Sequence, residues 1–441
     1  MKSVSAINRD ILKLSIPSIL ANITVPLVGL ADTAVAGRLG DGAALGAIAI
    51  GSMLFDLLYW NFAFLRIGTG GVTAQAYGRG SNHDAMKSLV QGLGTAVLGS
   101  LLILAIQWIF ARGAFALLKC SPHVEEFARQ YFFIRVWAAP ATLCLFVFRG
   151  WFIGMQDSLS PMAVDVTINL TNIGFSIWLG HYTPLGFAGI AWGTLIAQYC
   201  GLALALVLFF ARYRHMMCHI NLEESLDRND LRKFFGMNGN LVIRSLCFMG
   251  IYCGYTSLAA TFGDTDLAVS GIIMKLFMLY SYFTDGFAYA GEALTGRFIG
   301  AKDHDNLKRS IVMVFVWTSA IGVVSMFVYW LFGPMMLRIL TSDADVLSEA
   351  GAHLVWMVLM PIFSCYAFLW DGIYIGATAS RQMRNAMIWA CAAFFALYFA
   401  LVGTLGFDAL WWAYFAHLTV RSVYLSAIWP KTWKKIKAAL A

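Results

Sequence analysis

The chain has 441 residues, of which 60% are hydrophobic and only 12% are charged. Soluble globular proteins carry about 25% charged residues, and the mean hydropathy of +0.70 is typical of a membrane protein with several spans, which argues against a soluble domain. The net charge of +7 would by itself allow a nucleic-acid-binding protein. The distribution of the charges along the chain distinguishes this possibility from a membrane protein.

Apolar runs near the roughly 20 residues that a helix needs to cross a bilayer recur along the whole chain. Period-2 amphipathic strands are missing from the sequence, so a β-barrel is not expected. The first run has no small-residue cleavage site after a short apolar region, and we interpret it as a retained helix. The twelve predicted spans are 11–36, 44–69, 88–111, 131–155, 161–181, 184–211, 233–260, 267–292, 309–333, 351–375, 383–403 and 407–429.

The basic residues are distributed asymmetrically between the two sides of the predicted bundle. With the N-terminus taken as cytoplasmic, the cytoplasmic segments hold 20 Lys and Arg residues and the opposite loops hold 5. Cytoplasmic loops of membrane proteins carry such an excess. The pattern predicts that both termini are cytoplasmic, that the basic C-terminal tail anchors the topology, and that no nucleic acid is a partner.

Two halves of the chain repeat each other at an offset of 222 residues. "RGWFIGMQDS" (149–158) aligns with "DGIYIGATAS" (371–380), and "GVTAQAYGRG" (71–80) aligns with "ALTGRFIGAK" (293–302). Six spans per half make the repeat parallel, with a pseudo-two-fold axis along the membrane normal, as in many transporters. The predicted organisation is a six-helix lobe at 1–211, a cytoplasmic linker at 212–232 and a second six-helix lobe at 233–441.

Asp32, in "GLADTAVAGRLG", has no basic residue within five positions on either side. A charge at the centre of a spanning helix costs about 2.5–3.5 kcal/mol, and such residues are functional candidates by default. Pro17 and Pro26 precede it, and a proline inside a helix removes a backbone bond and kinks the helix. We therefore expect a bent first helix that carries an ion-binding carboxylate; the alternative is a carboxylate permanently paired with an arginine.

Polar side chains in the fifth and sixth spans could complete such a site. "NLTNIGFS" places Asn169 and Asn172 on overlapping helix faces, and "GIAWGTLIAQ" places Thr194 and Gln198 one turn apart. Groups like these often hold helices together, and they are equally the groups that a proton or sodium site would use.

The second half carries its own intramembrane charges. Asp285 and Glu292 are seven residues apart and share a helix face, and Asp371 aligns with Arg149 in the repeat. The pattern fits either a set that binds substrate or cations, or a structural network. The candidates are Lys275, Asp285, Glu292, Asp371, Arg244 and Arg149.

Taken together, several motifs resemble the multidrug and toxic compound extrusion (MATE) family, in particular its DinF-like branch, over essentially the full length. They are "PSILANITVPLVGLADTAVAGRLG", "TAQAYGRG", "RGWFIGMQDSLSPM", "PLGFAGIAWGTLIAQ", "DGFAYAGEALTGRFIGAKD" and "WDGIYIGATASRQMRN". The resemblance implies an all-α membrane protein with two six-helix lobes around a V-shaped cavity. It also implies alternating access, with export of cationic or amphipathic compounds in exchange for H⁺ or Na⁺.

The resemblance also assigns roles to single residues. Asp32 matches the family's first-helix aspartate, which binds the coupling cation, and Asn172 and Thr194 match its partners. Pro17 matches the bending proline, and Tyr131 resembles a tyrosine near the site. Where members of this branch often carry a second acid, this chain has Ser176. A single carboxylate suits one proton better than Na⁺, so the sequence favours proton coupling.

Other functions find less support in the residues. A flippase for lipids or lipid-linked precursors would use Arg149, Arg244 and Lys275 to hold phosphates, whereas the intramembrane acids favour cationic cargo. Motifs for a metalloprotease, a serine hydrolase or an ATPase are missing from the sequence, so neither an enzyme nor a cofactor is expected beyond the coupling ion. We expect a monomer in the bacterial cytoplasmic membrane, whose partners are organic cations or amphipaths and the bilayer.

Overall fold

The computed structural model describes residues 3–38, 42–117, 121–221, 224 and 227–440, and this part of the chain is helical and contains no strand. Inside a bilayer no water is available to hydrogen-bond the backbone N–H and C=O groups of the long apolar runs. A helix pairs all of these groups within one segment. The first half contains α1 (Val4–Arg38), α2 (Gly42–Trp60), α3 (Phe64–Arg79), α4 (Asn82–Leu117), α5 (Pro122–Arg135), α6 (Ala139–Gly154), α7 (Leu159–His181) and α8 (Phe187–Tyr213).

The second half follows after a short 3₁₀ helix at Arg214–His219. It contains α9 (Arg228–Ala259), α10 (Asp264–Gly300), α11 (His304–Leu340), the short α12 (Ala344–Ala352), α13 (Leu354–Gly376), α14 (Ser380–Leu405) and α15 (Asp408–Leu440). Two predicted spans are each built from two helices: residues Asn61 to Ala63 form a turn between α2 and α3, and the 3₁₀ helix Val136–Ala138 joins α5 to α6.

All twelve predicted spans fall on helices. Eleven helical stretches of the described residues are long and apolar enough to cross a membrane, and α15 carries the twelfth predicted span. The helices extend beyond the apolar runs because their polar ends are capped. The Asp303 side chain, for example, accepts a hydrogen bond from the Asn306 backbone and starts α11 five residues before the predicted span. Hydropathy marks the membrane-crossing centre of a helix and misses these ends.

The chain divides into two compact units. The N-terminal unit is formed by Leu20–Phe235, and the C-terminal unit by Gly236–Ala441 together with Met1–Ile19. The helix α1 is continuous through Pro17 and Pro26 and contributes to both units. The sequence prediction had assigned all of residues 1–211 to one lobe. Side-chain hydrogen bonds to the carbonyl four residues back, from Ser15 to Ile11 and from Ser18 to Leu14, lie in the first part of α1, and such bonds tend to bend helices.

The early part of α1 packs within the C-terminal unit. The indole of Trp317 in α11 donates a hydrogen bond of 3.2 Å to Asn8, and Arg297 in α10 lies 3.7 Å from Asp10. Gly286 in α10 admits the α1 backbone, because a Cβ there would lie 2.9 Å from the Ser15 carbonyl. The two prolines therefore flank the point at which α1 passes from one unit to the other.

The sequence repeat reappears as repeated packing inside each unit. A Cβ at Gly150 in α6 would overlap the Arg66 carbonyl of α3, and one at Gly372 in α13 would overlap the Ala288 carbonyl of α10. Both pairs differ by the same offset of 222. The two halves thus share a matching crossing where a glycine lets two helix backbones touch, and this explains why "RG" and "DG" recur at the same place in the two halves.

Candidate functional site

Asp32 lies in the part of α1 that belongs to the Leu20–Phe235 unit and is 7% exposed. The Ser176 hydroxyl of α7 faces its carboxylate. Within the described part of the chain, Asp32 Oδ1 and Ser176 Oγ are buried atoms without a hydrogen-bond partner. A buried polar atom that lacks a partner costs free energy comparable to a lost hydrogen bond, so the site has spare capacity for a proton or a ligand.

The predicted partners from the fifth and sixth spans do meet. Asn172 of α7 donates from its amide to the Thr194 hydroxyl of α8 at 2.9 Å, and the Thr194 hydroxyl donates in turn to the Ile190 carbonyl at 3.2 Å. The Asn172 carbonyl oxygen is buried and makes no hydrogen bond to any described residue. Since Ser176 is one turn beyond Asn172, both side chains lie on one face of α7.

Close packing of α7 and α8 sets this geometry. A Cβ at Gly193, the residue before Thr194, would lie 2.7 Å from both the backbone nitrogen and the hydroxyl of Ser176. Small residues at such crossings let membrane helices approach closely. Asn169, the other candidate amide of α7, donates to the Thr24 hydroxyl of α1. The helix α7 is therefore linked by its amides to α1 on one side and to α8 on the other.

Tyr131 of α5 is 1% exposed, and its ring fills the space that the missing side chain of Gly51 leaves on α2. Its phenol oxygen accepts a hydrogen bond of 2.8 Å from the Arg135 guanidinium. The guanidinium carbon of Arg135 lies 4.6 Å from the centre of the Phe55 ring. The Arg135 charge acts on the Asp32 carboxylate, so a fixed positive charge accompanies the site.

Arg135 is a member of the site that the sequence analysis does not identify. The available signal was its spacing, because Arg135 follows Tyr131 by four residues and shares its helix face. Asp56 of α2 is also within the electrostatic range of Arg135, but its side chain is exposed. The cluster in this unit thus consists of Asp32, Tyr131, Arg135, Asn172, Ser176 and Thr194.

In the C-terminal unit, Asp371 of α13 forms ion pairs with two arginines, Arg244 of α9 and Arg421 of α15, through one carboxylate oxygen. Arg421 is 2% exposed and also donates to the Ala367 carbonyl at 3.2 Å. Three helices are joined at this point. This arrangement is what a structural network requires, and Arg421 is a member that the sequence prediction did not place in it.

The other candidates of the second half lie along α10. Lys275 is exposed, Asp285 is partly buried and Glu292 is fully buried. Arg149 lies apart from these residues in the sequence and pairs within the N-terminal unit, where its Nε is 2.7 Å from Asp165 of α7. Because Arg149 and Arg244 each form an ion pair with an aspartate, two of the three basic residues considered for holding a phosphate are already paired.

Metal binding is not indicated in the described part of the chain, where no group of three or more His, Cys, Asp or Glu side chains is arranged to hold an ion. The site is instead one buried carboxylate with neutral hydroxyl and amide groups around it and one nearby guanidinium. Such a set can bind and release a proton, and it can change its hydrogen bonds when it does.

A family model described as MatE matches two successive segments, residues 17–178 and 241–402. The chain therefore belongs to the MATE family of multidrug and toxic-compound efflux transporters and is a multi-pass membrane protein. The resemblance seen in the sequence is confirmed, and the double match agrees with the repeat.

Individual relatives extend this result. DNA damage-inducible protein F of Escherichia coli is 34% identical over 440 residues, covering 98% of this chain and 94% of that protein. A probable multidrug resistance protein NorM of Pasteurella multocida is 22% identical, covering 79% and 76%. The structure of a Vibrio cholerae MATE transporter in the bent form matches with a TM-score of 0.84 at 16% identity, covering 99% and 98%. The predicted fold class, twelve helices in two bundles, is confirmed.

Proposed function

We propose that this protein is a proton-coupled antiporter that exports cationic or amphipathic organic compounds, and that Asp32 carries the coupling proton. The observation that carries the proposal is the Asp32 carboxylate, which is buried in a membrane-spanning helix and has one oxygen without a hydrogen-bond partner among the described residues. Intramembrane carboxylates of this kind mark ion pathways and proton relays.

One feature favours H⁺ over Na⁺. The site holds one carboxylate, with Ser176 where a second acid would add a charged ligand. Sodium prefers several oxygen ligands including charged ones, whereas one proton needs only the Asp32 carboxylate. A neutral Asp32 retains hydrogen-bonding capacity toward the buried Ser176 hydroxyl.

The proposed coupling acts through α1. Protonation of Asp32 changes its interactions with α5 and α7, while Pro17 and Pro26 weaken the helix where it passes between the two units. A ligand shifts a two-state equilibrium only through different affinities for the two states, so the protonated and ionised forms must favour different shapes of α1. A Vibrio cholerae transporter of this fold has been solved in a bent form, and the two prolines of α1 offer a place for a bend in this chain.

We also propose in which membrane the protein lies, how it is oriented and in what oligomeric state it works. The Lys and Arg asymmetry supports a cytoplasmic position for both termini, and the bacterial relatives support the cytoplasmic membrane. We propose a monomer that needs no cofactor besides the coupling ion, since each unit contains its own polar cluster.

The test is efflux of a fluorescent organic cation from proteoliposomes, driven separately by a pH gradient and by a Na⁺ gradient. We expect export with the pH gradient alone, and its loss in Asp32→Asn. Asp84→Asn is the matched control, because it removes a surface acid outside the predicted spans of the same unit and should leave export intact. Normal export by Asp32→Asn, or export driven only by Na⁺, would refute the proposal; movement of a phosphate-bearing lipid instead of the cation would support a flippase.

A further inference from the structure

A groove of about 750 Å³ lies between α14 and α15 in the C-terminal unit. Its walls are apolar side chains of two helices that cross the membrane side by side. On α14 they include Trp389, Ala392 and Ala396, which follow one face at helical spacing, and on α15 they include Val420, Val423 and Ala427.

The α15 face that lines the groove continues directly into a basic surface. With 100° per residue, Lys431 and Lys434 lie about 40° and about 20° around the helix from Ala427. Both side chains are exposed. Lys435 and Lys437 are also exposed and lie about 80° from Ala427 on either side, at the edges of the face that lines the groove. One continuous strip of α15, from Val420 to Lys434, therefore runs from the apolar wall of the groove to the lysine ammonium groups.

The opposite face of α15 fixes this orientation. The Trp429 ring lies 5.2 Å from Trp370 of α13 and 5.9 Å from Trp433, and Thr432 is buried. The final turns of α15 thus pack against the rest of the C-terminal unit through the face that carries Trp429. Lys431 and Lys434 must then point away from the protein, on the side where the groove opens.

The dimensions match one leaflet of a bilayer. From Val420 to Ala427 the groove runs about 10 Å along α15, and Lys434 lies about 10 Å further on, at 1.5 Å per residue. Half of the hydrocarbon core is about 15 Å thick. An acyl chain in the groove would place its headgroup at the level of the two lysines.

We propose that this groove binds an anionic phospholipid, with an acyl chain along α14 and α15 and the phosphate between Lys431 and Lys434. Basic residues at the end of a membrane helix attract anionic headgroups at about 1 kcal/mol each. A second copy of the chain fits poorly, because parallel copies meeting at this face would bring their lysine pairs together. A cationic cargo is repelled by the same pair. The inference does not depend on the transport mechanism.

The experiment is native mass spectrometry of the full-length protein titrated with phosphatidylglycerol or phosphatidylcholine. We expect a specific phosphatidylglycerol adduct on the wild type that phosphatidylcholine does not compete away. The Lys431→Gln/Lys434→Gln variant should bind about 30-fold more weakly. The charge-matched control Lys302→Gln/Lys308→Gln should bind within about threefold of the wild type, because these exposed lysines lie just after α10 and on α11 and do not line the groove.

A second variant tests the apolar half of the site. Ala396→Phe fills the groove without a change in charge, and we expect it to lower phosphatidylglycerol binding at least tenfold while the melting temperature stays that of the wild type. Equal loss in the two lysine pairs would mean general attraction to the basic side of the protein and would overturn the proposal. The proposal would also be overturned if the two lipids bound equally well, or if the mass spectrum showed a dimer that binds no lipid.

Discussion

Asp371→Asn is expected to destabilise the C-terminal unit strongly. The Asp371 carboxylate is the partner of both Arg244 and Arg421, and the side chains of these two arginines are 14% and 2% exposed. An asparagine keeps the size of the side chain and removes the charge. The buried guanidinium of Arg421 and the partly buried one of Arg244 would then remain without a counter-charge.

The size of the effect follows from the burial. Removal of one partner from a buried ion pair costs about 3–5 kcal/mol, since it leaves an uncompensated charge. For a unit of this length, 1 kcal/mol shifts the melting temperature by about 2–4 °C. We therefore expect Asp371→Asn to melt about 6–20 °C below the wild type.

The assay is thermal unfolding of purified protein in detergent, followed by size exclusion. Asp84→Asn is the matched control, because Asp84 pairs with Arg79 at the surface with both side chains about two-fifths exposed. Exposed pairs contribute about 0–1 kcal/mol, so the control should melt within a few degrees of the wild type.

A combined variant separates a structural role from a role in transport. Arg244→Met/Asp371→Leu/Arg421→Met replaces the whole cluster by apolar side chains, and such replacements are often neutral or stabilising. We expect it to melt above Asp371→Asn. If Asp371→Asn melts like the wild type and yet abolishes export, the cluster takes part in transport and the structural reasoning is wrong.

Three further predictions concern the N-terminal unit. Gly193→Ala forces α7 and α8 apart at Ser176 and should cost about 1–3 kcal/mol, whereas Gly174→Ala, which has no atom within 4 Å of its Cβ, should not; equal melting temperatures would contradict the packing argument. Tyr131→Phe removes the acceptor of the 2.8 Å bond from Arg135 and should cost about 1.5–3 kcal/mol in a melting assay, with a loss below 0.5 kcal/mol counting against a charge-assisted bond. Asn172→Ala breaks the 2.9 Å bond to Thr194, which should cost only about 0.5–1.5 kcal/mol but slow cation efflux, so an unchanged rate would exclude Asn172 from the site.

Sequence reasoning anticipated the local parts of this structure. The apolar runs located the twelve spans, since hydropathy reports the membrane directly. The spacing within "NLTNIGFS" predicts that Asn169 and Asn172 lie on overlapping faces of one helix. In the structure their amides donate hydrogen bonds to the neighbouring helices α1 and α8, respectively. The offset of 222 anticipated the matching crossings at Gly150 and Gly372.

The pairing of charges could not be predicted from the sequence. Periodicity tells which residues share a face of one helix, but the rotation of that helix against its neighbours is set by packing. Arg421 therefore could not be assigned to Asp371, fifty residues earlier, rather than to another intramembrane acid. The division of α1 between the two units was likewise hidden, because apolar side chains on both sides of Pro17 look alike in the sequence.

In the proposed mechanism Asp32 binds the proton that is exchanged for substrate. The most direct measurement is proton release by the purified protein in weakly buffered detergent, followed with a pH indicator as an organic cation is added. We expect release on substrate binding by the wild type and by Asp84→Asn, and none by Asp32→Asn. Equal release by Asp32→Asn would contradict this mechanism, because the exchanged proton would then come from another group.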